Sequence, residues 1–165
     1  MLEDGDRVVV EATSIIEHLA VHHPGPVPLI PDDPAAAVDV RMLDRIFENY
    51  VATPQQKVVF DALRPEADRD PYGVADARAM LDTIYAWLDA HMASHEWAAG
   101  DDFSLADCSA APMLFYADWT QPIPADLTHL KAYRERLLAR PSFARCMAEA
   151  RPYPSYFPLD APDGD

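Results

Sequence analysis

The sequence is short of cysteine, of glycine, of basic side chains and of strand, and each shortage removes a class of function. Its two cysteines, Cys108 and Cys146, form neither a C-x-x-C pair nor a zinc-finger spacing. Both read as buried small residues of a protein kept in a reducing compartment. Five glycines in 165 residues leave no phosphate-cradling loop and no nucleophile elbow. Thirteen Lys and Arg stand against 28 Asp and Glu, a net charge of −15. Nucleic acid and anionic membranes need clustered cations, so neither is expected as a partner. No apolar run approaches the ~18 residues of a membrane span, and the acidic first residues carry no signal-peptide pattern. The expectation is a bacterial-type cytoplasmic protein.

What the chain has is apolar mass and proline. Half of its residues are hydrophobic, enough for a substantial core in one domain with a small appendage. Val8, Val9 and Val10 form a short strand that runs into a helix at Ala12 or Thr13, with Ile15, Ile16 and Leu19 on one side. "EDGD" is a turn that joins this strand to a stub at Met1–Leu2. "HHPGPVPLIPDDP" has five prolines in thirteen residues and suits neither helix nor central strand. It reads as a stiff linker.

Beyond the linker the pattern is helical and without internal repeat. Asp32 or Asp33 caps a helix opened by Pro34. That helix turns Leu43, Ile46, Phe47, Tyr50 and Val51 inward and Asp39, Asp44, Arg45 and Glu48 outward, with a bend or break expected near Thr53 because of Pro54. "RPEADRDPYG" reads as a polar loop. A helix from Val74 to Ala93 follows, carrying Ala77, Met80, Leu81, Ile84, Leu88 and Met92 at helical spacing. Ser104 and Asp107 have the spacing of a capping box, with Phe103 placed to staple onto Cys108. The helix behind them is apolar nearly all round, the mark of a central buried helix, and Pro112 should kink it. Two more helices, about Leu127–Ala139 and Ser142–Ala150, precede an irregular tail.

One strand with no visible partner is marginal by itself, and a family resemblance accounts for it. "LEDGDRVVVEATSIIEHL", "FSLAD" with its buried helix, and "LKAYRERLLARPSF", in this order and spacing, resemble the glutathione transferase family. The resemblance implies a mostly α fold: the last strand or hairpin and final helix of a thioredoxin-like domain (residues 1–23), a proline-rich linker (24–33) and the family's all-helical C-terminal domain (34–165). It also implies that the missing strand partners, the thiolate-stabilising Tyr, Ser or Cys and the cis-proline segment belong to a half-domain outside this chain. Met1 would then be an internal residue taken as the start, or the start of a truncated gene product.

The same resemblance assigns a binding site. Family transferases hold the γ-glutamyl end of glutathione at the start of the last thioredoxin helix. A carboxylate rests there on free N–H groups at a positive helix end. Here Glu11 would receive the ammonium and the amides of Ala12 and Thr13 the carboxylate, with Ala12 standing where the family usually has Ser. The alternative is that Glu11 and Thr13 only cap a helix. Tyr50, Phe115, Tyr116 and Trp119 are expected to line a pocket for a small electrophile, or else to be core or subunit interface. No catalytic residue is assigned within this chain. The expected assembly is a homodimer, in which Asp44 either reaches toward the partner's glutathione or sits on a solvated surface. His18 and His22, like His91 and His95, stand at a spacing that can hold a metal, but neither pair has an evident third ligand and no metal is expected. The rival reading is a non-catalytic helical module that uses the same fold for association.

Overall fold

The computed structural model describes residues 1–153 and 156–159 of the chain. The expected tail therefore falls partly outside the described residues. The two strands, β1 (Leu2–Asp4) and β2 (Arg7–Val9), form an antiparallel hairpin with Leu2 opposite Val9 and Asp4 opposite Arg7. Gly5 turns the chain at φ 60°, a conformation that costs a residue without Cβ little. The expected stub is thus a full three-residue strand.

Helix α1 (Ala12–His22) lies beside the hairpin, and the proline-rich stretch leads from it to α2 (Pro34–Ile46). That stretch is anchored: the Leu29 carbonyl accepts the Leu105 amide at 2.8 Å, and Leu29 and Ile30 pack on the core. The carboxylate of Asp33 accepts the Ala36 amide at 2.9 Å, and Pro34 takes the first helical position, where it needs no donor.

Pro54 does not break the next helix. The backbone widens into a π-helical segment over Phe47–Ala52 and runs on as α3 (Thr53–Ala62). The Thr53 amide reaches back five residues to the Glu48 carbonyl, which also takes the Thr53 hydroxyl at 3.0 Å. The extra residue in the turn relieves the clash a proline ring makes with the preceding turn. Helix α4 (Pro71–Met92) starts three residues before the expected Val74. Asp70 caps it through the Gly73 amide at 2.8 Å, and Asp61 holds the Asp70 amide at 2.7 Å. The Asp-Pro pair carries that start signal, so "DPYG" opens a helix rather than closing a loop.

Helix α5 (Leu105–Thr120) runs through the centre and continues past Pro112, with α6 (Thr128–Ala139) and α7 (Pro141–Ala150) beyond it. The core gathers Leu43, Phe47, Leu81, Leu88, Leu105 and Leu114 with two tyrosines. Each tyrosine buries its ring and finds a partner for its hydroxyl. Tyr85 donates to the Gln121 carbonyl at 3.1 Å and Tyr133 to Asp107 Oδ1 at 2.6 Å. Burial, and then the Asp107 carboxylate, push the Tyr133 hydroxyl well above its usual pKa.

Candidate functional site

The start of α1 is built by one unusual residue. Glu11 has φ 68° and is the non-glycine residue with positive φ among the described residues. Its carbonyl accepts the Ile15 amide at 2.9 Å, which begins the helix, yet no side chain caps the first turn. A left-handed glutamate is strained by about 1–3 kcal/mol. Its effect is to turn the chain sharply so that the amides of the first helical residues face outward at the positive end of the helix. Glu11 and Ala12 are exposed.

Thr13 is different. It is buried, and its hydroxyl lies 3.4 Å from both oxygens of Asp44. Asp44 also accepts the Ser109 hydroxyl, and the Arg45 guanidinium stands 3.6 Å away. Asp44 is fully buried, which corrects both expectations for it: it is neither a solvated acid nor free to reach another subunit. Its period-based outward placement failed because α1 and α5 close over that face of α2. The carboxylate ties the start of α1 to the helical body, and the Thr13 hydroxyl is spent inward on it. A second tie, Arg41 to Glu17 at 2.8 Å, lies further along α1.

The expected aromatic lining separates into two places. Phe115, Tyr116 and Trp119 form one cluster on α5, with ring centroids 4.4–5.8 Å apart, and Phe157 of the tail sits against Tyr116 and Trp119. Phe115 is buried in the core, while Tyr116 remains 43% exposed. Tyr50 is half exposed on the π-helical segment rather than inward, because the extra residue there rotates it off the core face.

Ser104 and Asp107 take up the expected capping box, and Asp107 does more than cap. It accepts the Ala98 amide at 2.8 Å, the Ser104 amide at 2.8 Å and the Tyr133 hydroxyl. One buried carboxylate thereby holds the loop before α5 and helix α6. Phe103 lies under the Arg140 guanidinium at 3.7 Å and edge-on to Trp97. Cys108 is partly buried, and burial together with the neighbouring Asp107 pushes its thiol up to about 11. Cys146 is exposed, against expectation, because it lines an open cleft between α7 and α5 with Phe103, Cys108 and Phe143.

The histidine pairs also part ways. His91 Nε2 bonds the Ala98 carbonyl at 2.7 Å and His95 Nδ1 the His91 carbonyl at 2.7 Å, so this pair is spent on backbone. His18 turns instead to Asp4 of β1, as does His23. His18 thus meets an acid from β1 and shares it with His23 rather than with His22, a meeting no local pattern could place.

Comparison with known proteins agrees with this architecture. The family described as glutathione S-transferase, C-terminal domain, matches residues 60–136. FtsZ-localized protein A of Caulobacter vibrioides is 30% identical over 152 residues, covering 88% of this chain and 66% of that protein. Glutathione S-transferase 3 of Zea mays is 28% identical over 153 residues, covering 89% of this chain and 69% of the relative. A solved glutathione S-transferase from Methylobacterium radiotolerans, in complex with glutathione sulfonate, superposes with a TM-score of 0.71 at 28% identity over 83% of this chain and 65% of that one. The chain belongs to the glutathione S-transferase family. It spans about two thirds of the length of the relatives it matches. Within the family fold it supplies the all-helical C-terminal domain and, ahead of it, the hairpin and helix of a thioredoxin-like unit. Among the described residues no helix is long and apolar enough to cross a membrane.

Proposed function

We propose that this chain binds the γ-glutamyl end of glutathione at the start of α1 and serves a cytoplasmic, homodimeric glutathione transferase acting on a small electrophilic molecule. Glu11 receives the ligand's ammonium, and the amides of Ala12 and Thr13 receive its carboxylate. Tyr116 and Trp119 offer the electrophile's side, with Phe115 packed behind them and Tyr50 apart on the π-helical segment, and residues 1–23, 24–33 and 34–165 are the thioredoxin-like remnant, linker and helical domain. No residue of this chain is assigned to activating the thiol. The observation that carries the reading is the left-handed Glu11 at an uncapped helix start. A carboxylate, an outward turn and unspent amides are what an amino-acid head group requires.

Calorimetric titration with glutathione tests it. Glu11→Gln removes the charge and keeps the shape, and the loss of one charge-assisted bond should weaken binding by about 10–100-fold. Equal affinity in the two proteins would end this reading. The relative named for localisation with FtsZ supports a second one, a non-catalytic association module. No glutathione binding, together with concentration-dependent self-association or a partner, would favour it.

A further inference from the structure

We propose that Asp4, His18 and His23 form a zinc site that clamps the hairpin to the C-terminal end of α1. His18 Nε2 lies 2.8 Å and His23 Nε2 2.9 Å from the same oxygen, Oδ2 of Asp4. All three donor atoms fall within 4.8 Å of one another. Zinc holds such atoms at about 2.0–2.2 Å, which sets them about 3.3 Å apart in a tetrahedron. Each imidazole needs to draw back from Asp4 by only about half an ångström, a change that side-chain torsions can make.

The backbone beneath each donor is already fixed. Asp4 ends β1, paired with Arg7 across the turn. The His18 side chain is 5% exposed, so its ring is held by packing and has few other orientations. His23 caps α1 with its amide on the Leu19 carbonyl at 2.8 Å. The charge favours a cation as well, since the C-terminal end of a helix is its negative end and the chain carries −15. Two imidazoles and one carboxylate suit zinc, while a single carboxylate offers too few oxygens for calcium or magnesium. The fourth position falls to water on the exposed side, where the His23 side chain is 55% open. The His22 ring stands next in line, 4.4 Å from that of His18. The site lies apart from the glutathione reading and does not depend on it.

The test uses tag-free full-length chain carrying Cys146→Ser, so that the exposed thiol binds no metal, stripped with chelator and titrated with zinc chloride. One zinc per chain is expected, with a rise in melting temperature on loading. Asp4→Asn and His23→Ala, both at partly exposed side chains, should each weaken zinc binding at least about tenfold and abolish the thermal shift, with far-UV circular dichroism unchanged. His91→Ala should leave the affinity as it was. Substoichiometric zinc, or zinc binding that survives Asp4→Asn and His23→Ala, overturns the proposal. So does a hairpin whose stability follows pH in the metal-free chain but does not respond to zinc, because the three residues would then be a hydrogen-bonded clasp alone.

Discussion

Glu11 shows how much one residue can fix against its own preference. A glutamate at φ 68° is unfavourable, yet the turn it makes opens the helix start and leaves its carboxylate exposed. Glu11→Gly should relieve the backbone and stabilise the fold by about 1 kcal/mol while removing the acid. Chemical denaturation reads the first effect and glutathione titration the second. A destabilised Gly variant would mean the turn carries no strain. Nothing local in "VVEATS" marks the positive φ. Only the family resemblance drew attention to the residue, and only the folded backbone gave it a geometry.

At the scale of the element, the loop and capping box before α5 carry the clearest energetic expectation. Ser104→Ala removes one capping hydroxyl and should cost roughly 0.5–2 kcal/mol. Asp107→Ala leaves two backbone amides and the Tyr133 hydroxyl unpaired in the interior. Its cost should reach at least about 3 kcal/mol, and urea unfolding of the two variants compares them directly. Similar costs would reduce Asp107 to an ordinary cap. The sequence spacing announced this box, and the Asp33–Pro34 start was equally legible, since a cap satisfies amides a few residues away. The π-helical segment was less so: Pro54 signalled a disturbance but not that the helix would absorb it.

For the whole molecule, the issue is how a hairpin and one helix hold to a helical body. Asp44 is the buried link, taking Thr13 from α1 and Ser109 from α5. Asp44→Ala leaves both hydroxyls without that acceptor and should cost about 1–3 kcal/mol. Hydrogen exchange should show faster opening in α1 than in α5, because α1 has few other ties, chiefly Arg41–Glu17 and the half-buried Ile16. Unchanged protection of α1 would assign the linkage to packing alone.

The sequence by itself determined most of the helices, the caps at Asp33 and at Ser104–Asp107, the proline-rich connection and the buried character of α5. Those depend on side-chain period and on hydrogen bonds between near neighbours, which any stretch of chain carries within itself. Tertiary structure decided the rest. Asp44 is buried because α1 and α5 close over it, Tyr50 faces out because a π turn rotates it, and His18 meets Asp4 because a hairpin folds back against a helix. Each depends on residues many positions apart being brought together, and such meetings are fixed by how elements pack rather than by the pattern of any one of them.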